Sequence, residues 1–278
     1  MSSDRAATTG EPLLVVEQSG RVRTLVLNRP EVRNALSSDL IVALRSELAN
    51  ADHDDDVDVV ILTGAGSAFC AGLDLAELGS STDSARLLDH ADVPVGHPWR
   101  PISKPIIGAV NGVAATGGLE FALACDVLIA SERARFVDTH SRVGVLPGWG
   151  LTSRLPEAVG RGFARRMSLS GEFVDAQTAL RVGLVTEVVA HDQLMASAME
   201  LAVSMAGSDQ LAVRTMLDSY RRAEQHLVGP ALDVENDTSV EWMAGFDPAR
   251  VADRRSGIVE RGRPTAESSP LLHRTCVR

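Results

Sequence analysis

Glu120 is where the sequence departs most clearly from ordinary packing. It closes Thr116-Gly117-Gly118-Leu119-Glu120 and precedes Phe121-Ala122-Leu123-Ala124, so a carboxylate interrupts an otherwise apolar helical pattern. A helix starting at the glycine pair points its unsatisfied amides and positive dipole end at whatever lies in front of it. Gly117 permits close approach, and Glu120, three residues on, shares a face with that amide. The structural alternative is a capping box, but with Thr116 as N-cap the reciprocal position is Leu119, which accepts no hydrogen bond. The pattern therefore leaves Glu120 open between a structural carboxylate and a general acid or base.

A second glycine turn lies in Phe69-Cys70-Ala71-Gly72-Leu73-Asp74-Leu75. Gly72 allows a sharp bend that frees the Leu73 amide, although a plain strand-to-helix turn explains it equally well. Taken together, the amides of Leu73 and Gly117 would form an oxyanion hole, able to polarise a carbonyl and hold an enolate formed at its α-carbon. Gly64-Ala65-Gly66-Ser67-Ala68-Phe69 is not a dinucleotide fingerprint, because Phe69 stands at the third glycine position. His140 lies in Asp138-Thr139-His140-Ser141-Arg142-Val143-Gly144, just before Leu146-Pro147-Gly148-Trp149-Gly150. There a polar loop group could face a cleft, although on spacing alone an ordinary loop histidine is the simpler reading. The other histidines have polar or terminal neighbours and read as surface residues, and no paired spacing supports a metal site.

These residues need elements to hold them. Leu13 to Glu17 and Val22 to Leu27 read as a hairpin joined by Gln18-Ser19-Gly20-Arg21. Ser37 to Asn50 carries Leu40, Ile41, Leu44 and Leu48 at helical spacing behind a serine cap. The acidic run Asp52 to Asp58 reads as a solvated turn leading into a buried strand, Val59 to Leu62. Strand, glycine turn and helix then recur from Ile106 to Val110 onward, and Val127 to Ala130 adds a third strand. Residues 77 to 103 read as an insertion with a short helix near Ser84 to Asp89. From Trp149 the pattern is mostly helical, with amphipathic segments at Ala196 to Met205, Leu211 to Leu227 and Val234 to Ala244. Their apolar surface calls for a partner, either the body of the chain or a neighbouring copy.

Composition removes several classes of function. The 278 residues hold 27 basic and 37 acidic side chains, net −10, with no basic stripe for nucleic acid. No apolar run approaches the roughly 18 residues of a membrane span. The start MSSDRAATTGEP lacks the features of a secretory signal, and Cys70, Cys125 and Cys276 lie far apart without CxxC spacing. These features suit a reducing cytoplasm. Lys104 is the single lysine, so there is no phosphate-loop lysine motif and one Schiff-base candidate at most.

Val59-Val60-Ile61-Leu62-Thr63-Gly64 with Phe69-Cys70-Ala71-Gly72-Leu73-Asp74-Leu75, and Lys104-Pro105-Ile106-Ile107-Gly108-Ala109-Val110-Asn111-Gly112 with Gly117-Gly118-Leu119-Glu120, resemble the enoyl-CoA hydratase/isomerase (crotonase) family. Asn28-Arg29-Pro30, Asn34-Ala35-Leu36, Ala124-Cys125-Asp126 and the Gly144 to Gly150 turn fall in the same order, and the likeness runs from about residue 12 to 190. It implies an α/β fold, a crotonase-like spiral of ββα units with a helical C-terminal region that builds trimers or dimers of trimers. It also implies an acyl-CoA thioester substrate in fatty acid metabolism, with no separate cofactor because coenzyme A is part of the substrate. The implied organisation is a leader over 1–11, an acyl-CoA-binding core over 12–195, a helical region over 196–264 and a tail over 265–278.

By position, the resemblance gives the oxyanion amides to Leu73 and Gly117 and places Arg29, Val32, Ala35, Ala71, Asp74 and Leu75 along the CoA. Glu120 matches the first catalytic glutamate of the hydratases. His140 occupies the place of the second, a departure that leaves a group able to move protons near its ordinary pKa of about 6.5. Gly148 and Trp149 would border the acyl pocket, where Trp149 replaces a smaller residue. Arg255, Arg261 and Arg263 are further candidates for contacts with CoA. Hydration of a 2-enoyl-CoA is the leading expectation. Double-bond isomerisation by a lone Glu120 and a non-catalytic acyl-CoA-binding role are the alternatives, and thioester hydrolysis or decarboxylation would suit the same oxyanion hole.

Overall fold

The computed structural model describes residues 11–80, 93–251, 254 and 257. It begins with the hairpin β1 (Leu14–Ser19) and β2 (Val22–Leu27), paired antiparallel and turned at Gly20 with φ +56°. Strand pairs then repeat along the chain: β3 (Val59–Gly64) with β4 (Ala68–Cys70), β5 (Ile106–Val110) with β6 (Val113–Ala115), and β7 (Val127–Ser131) with β8 (Arg135–Val137). In each pair the first strand enters one sheet and the second enters another. With β9 (Val174–Asp175) and β10 (Glu187–Val189), the sheets run β1-β2-β3-β5-β7-β10 and β4-β6-β8-β9. From β2 to β10 every neighbour in the larger sheet is parallel. This is the expected spiral of ββα units. β3 is buried along its whole length, which explains why its sequence is a continuous apolar run rather than an alternating one.

Helix α1 (Ser38–His53) begins where Ser37 accepts from the Leu40 amide at 3.2 Å, and it buries Leu40, Ile41, Leu44 and Leu48. After α2 (Leu75–Leu78) come α3 (Gly117–Leu123), α4 (His140–Val143), α5 (Leu151–Val159), α6 (Arg161–Ser170), α7 (Ala176–Val182), α8 (Leu194–Ala206) and α9 (Gln210–Met243). The boundary expected at residue 195 falls at the start of α8. That helix packs Leu194, Ala198 and Ala202 against Val22, Val59, Ile61, Ile107 and Ile129 of the larger sheet.

Three local expectations change. The acidic run is a partly exposed turn that also clamps its neighbours: buried Asp58 holds Arg21 and Arg214, Asp54 takes Arg23 at 2.6 Å, and Asp52 accepts from the Ser103 amide at 2.7 Å. Lys104 is buried and donates to the carbonyls of Ala51 and Asp54, both at 2.6 Å, closing the end of α1. Its burial lowers its pKa, but its hydrogen-bonded ammonium is structural and is no Schiff-base candidate. Finally, the segments expected as separate helices after Leu211 form one helix through Pro230. Proline removes one hydrogen bond there, while Val228 and Leu232, buried on either side, hold the helix together. β4, β6, β8, β9 and β10 escaped the sequence reading because two or three residues are too few to show a period, and their sheet neighbours specify them. The leader through Gly10, the helix expected near Ser84–Asp89, Arg255, Arg261, Arg263 and the tail lie outside the described residues.

Candidate active site

The two glycine turns meet. Gly72 has φ +90°, and a Cβ there would lie 2.8 Å from the Ala115 carbonyl oxygen and 3.3 Å from the Gly117 nitrogen. Only glycine fits both the conformation and the contact. A Cβ on Gly118 would come 2.1 Å from the Cys70 carbonyl oxygen, so the second glycine lets α3 close on β4. Thr116 sits at φ 55°, ψ −114°, with its amide on the Val137 carbonyl at 2.9 Å. That is an uncommon conformation for a β-branched residue and is held by its surroundings. Among the described residues the amides of Leu73 and Gly117 donate to no protein acceptor. The turn that carries Leu73 lies against the N-terminus of α3.

Glu120 is 2% exposed. Its Oε1 accepts from the amides of Gly148 at 3.2 Å and Trp149 at 2.8 Å, and its Oε2 lies 3.4 Å from His140 Nε2. His140 is buried at the start of α4 rather than on an open loop. Its Nδ1 is 2.6 Å from Asp138 Oδ1, and the same oxygen accepts the His140 amide at 3.0 Å. Burial alone would pull the imidazole's pKa down, but the hydrogen bonds and charges of Asp138 and Glu120 outweigh it and raise it to about 10. Burial conversely pushes Asp138 up, and its bond to His140 reverses this and keeps its pKa below the ordinary value. At neutral pH the histidine is therefore an imidazolium between two carboxylates, and its titration moves far above the expected range near 6.5. Asp138 is the member of this cluster that the sequence does not single out. The signal was its spacing, two residues before His140, where an Asx turn brings the carboxylate back onto the following backbone and ring.

Trp149 covers this centre. Its ring is tilted at 46° on Phe121 with centroids 5.3 Å apart, and Phe121 meets Trp99 edge-on at 5.2 Å. A Cβ on Gly117 would come 3.1 Å from Trp149 Cζ3, so the indole roofs the helix mouth beside Gly148. The remaining expected residues form one knitted pair of loops. Arg29 donates to Asp74 at 2.9 Å and to the Ala35 carbonyl at 2.6 Å, Ala71 donates to Arg33, and Leu36 bridges Gly72 and Asp74. Val32 is exposed on that loop, and Asp74 caps α2, which Leu75 begins. Arg29 spends its guanidinium on this brace.

The family model described as enoyl-CoA hydratase/isomerase matches residues 17–244. A probable peroxisomal enoyl-CoA hydratase of Arabidopsis thaliana is 34% identical over 92% of the chain and 96% of its own length. The crystal structure of an enoyl-CoA hydratase from Mycobacterium smegmatis is 52% identical, covers 84% of the chain and 100% of its own, and superposes with a TM-score of 0.77. A monofunctional enoyl-CoA isomerase from M. smegmatis, 33% identical over 77% of the chain and 94% of its own, superposes with a TM-score of 0.62.

Proposed function

The chain belongs to the enoyl-CoA hydratase/isomerase family, and on that premise we propose that Glu120 and His140 add water across the double bond of a 2-enoyl-CoA held by the amides of Leu73 and Gly117. It is an acyl-CoA-processing, hydratase-like enzyme, as its relatives are. The observation that carries the specific reaction is the 3.4 Å approach of Glu120 Oε2 to a protonated His140 Nε2. Glu120 Oε1 is occupied by two amides, so Oε2 is the basic oxygen. As water adds to C3 its proton passes to Oε2, and the electron pair of the double bond moves toward the thioester oxygen on the two amides. The Nε2 proton of His140 is delivered to C2, and proton exchange between Glu120 and His140 restores the starting state.

Incubation with crotonyl-CoA tests this: the expected product is a hydroxyacyl-CoA, formed with a basic limb near pH 10 that His140→Gln removes. An isomerase neighbour favours a second reading, in which Glu120 alone moves a proton across the enolate. A parent enzyme that shifts a 3-enoyl-CoA double bond, never adds water and gains no hydration from His140→Glu would establish that reading instead.

Arg29, Val32, Ala35, Ala71, Asp74 and Leu75 would line the CoA in this scheme, with Arg29 acting as the brace of the loop pair, and Gly148 and Trp149 would bound a narrow acyl pocket. Coenzyme A enters as part of the substrate. The proposal includes a trimer or a dimer of trimers, supported by one face of α9 on which Met216, Tyr220, Leu227 and Val234 are exposed. Tyr220, Leu227 and Val234 repeat at seven-residue spacing, a stripe suited to a second copy. Sedimentation should give a trimer or hexamer at micromolar concentration, with Leu227→Asp shifting it to smaller species. A monomeric parent would contradict this. No helix among the described residues is long and apolar enough to cross a membrane, and we place the enzyme in the cytoplasm.

A further inference from the structure

Helix α9 passes behind the turn that holds Glu120. Glu235, on this helix, is 6% exposed, and both its oxygens are engaged. Oε1 accepts the Gly150 amide at 2.6 Å, while Oε2 accepts the Thr152 amide at 2.6 Å and the Thr152 hydroxyl. These amides belong to the open N-terminus of α5, whose N-cap Gly150 has φ +90° and no side chain with which to cap it. A carboxylate from more than eighty residues away does that work instead.

The peptide just before this cap is the one that binds Glu120. The Trp149 amide donates to Glu120, and its carbonyl accepts from Arg154 Nη1 at 2.8 Å. Arg154 also donates to the Gly96 carbonyl at 2.6 Å and pairs with Glu224 at 3.0 Å. Glu224 and Glu235 are eleven residues apart on α9, about three helical turns, and so share a face. One turn therefore offers its amides at 148 and 149 to Glu120, its carbonyl at 149 to Arg154, and its amides at 150 and 152 to Glu235. Capping alone does not require this arrangement. Burial raises the pKa of Glu235 and the charge of Glu120 raises it further, whereas a neutral cap would carry neither cost.

We infer that Glu235 is a positioning residue for the reaction: by fixing Gly150 and Thr152 from α9 it holds the Gly148 and Trp149 amides on Glu120 Oε1 and so leaves Oε2 facing His140. The inference rests on Glu120 being the acid/base. Around Glu120 the titratable and charged groups are His140 of α4 with Asp138 behind it, Glu235 of α9, Arg154 of α5 on the Trp149 carbonyl, and Cys70 of β4 behind Gly118. Burial pushes the Cys70 thiol up to about 12, so it stays neutral. Without the hold of Glu235 the two amides would drift and the Glu120 carboxylate would turn away from His140 and from the reacting carbon, which slows the chemical step without changing how CoA binds.

The test is steady-state turnover of crotonyl-CoA by full-length Glu235→Ala and Glu235→Gln across pH, with Glu120→Gln alongside. Glu235→Ala should lower kcat on the order of 10-fold or more, leave KM near the parent, and displace the acid limb of the rate profile from the parent's. Glu235→Gln, whose carbonyl can serve one of the two amides, should recover part of both effects. A lowered Tm with the parent's kcat and acid limb would mean a purely structural cap and would overturn the inference. Should the alanine variant fail to fold, Glu235→Gln must itself move the acid limb, and an unmoved limb overturns the inference equally. If Glu120→Gln keeps full turnover, the assignment of Glu120 fails. If Glu120→Gln is inactive while the Glu235 variants match the parent, only the role of Glu235 fails.

Discussion

Glu120→Gln should turn over crotonyl-CoA at least roughly 10²-fold more slowly than the parent while binding CoA nearly as well. The replacement keeps the shape, and its carbonyl can still accept the amides of Gly148 and Trp149. What it cannot do is take a proton from water. It also presents an NH₂ group to His140 Nε2, a donor facing a donor, so the imidazolium loses one of the partners that raise its pKa to about 10. The basic limb should therefore move down in this variant even as the rate falls.

Stability should follow the same linkage. The folded pKa of His140 lies above its ordinary value, so its contribution is complete below about pH 6.5 and is lost as pH rises through about 10 in the parent. In Glu120→Gln that loss should begin at lower pH. Denaturation midpoints between pH 6 and 10 measure the window, and steady-state kinetics with CoA binding measure the rest. Turnover equal to the parent's would remove Glu120 from the chemistry.

Much of this centre is legible in the sequence because its parts are local. Gly72 and Gly117 stand in glycine turns that follow apolar strand runs, and Glu120 is conspicuous because the residues after it are apolar. The larger sheet follows from the repeated run and turn, since a strand buried on both faces must be apolar throughout, whereas the smaller sheet is built of strands too short to show in the sequence. The illegible features depend on long-range partners. His140 is written like a loop residue, and its protonation becomes apparent only when Asp138 folds back onto it and Glu120 arrives from another helix. Lys104 is read as a free amine until the end of α1 closes over it. Glu235 looks like a solvent-facing residue of an acidic helix, because the turn it caps lies more than eighty residues earlier. A helix through Pro230 is likewise a tertiary outcome, with Leu232 and Val228 anchoring what local propensity would interrupt.

Gly117→Pro should lower turnover by roughly 10²- to 10³-fold, the loss expected when one oxyanion-hole donor is removed. Proline is acceptable at the first position of a helix, so α3 itself does not forbid it. Two features of the site resist it on other grounds. Thr116 precedes it at φ 55°, ψ −114°, and the residue before proline is conformationally restricted. A Cβ at position 117 also meets Trp149 Cζ3 at 3.1 Å. Gly117→Ala separates these effects, because it adds the same Cβ and keeps the amide. If the amide holds the enolate, the alanine variant should lose far less rate than the proline variant, with circular dichroism and CoA binding confirming that both are folded. Leu73→Ala keeps its amide too and should stay within an order of magnitude of the parent. Equal losses in Gly117→Ala and Gly117→Pro would assign the effect to crowding against Trp149 and overturn the oxyanion hole. A graded series, with Leu73→Ala mildest and Gly117→Pro most severe in variants whose fold and CoA binding match the parent, is what backbone donors stabilising the charge on the thioester oxygen require.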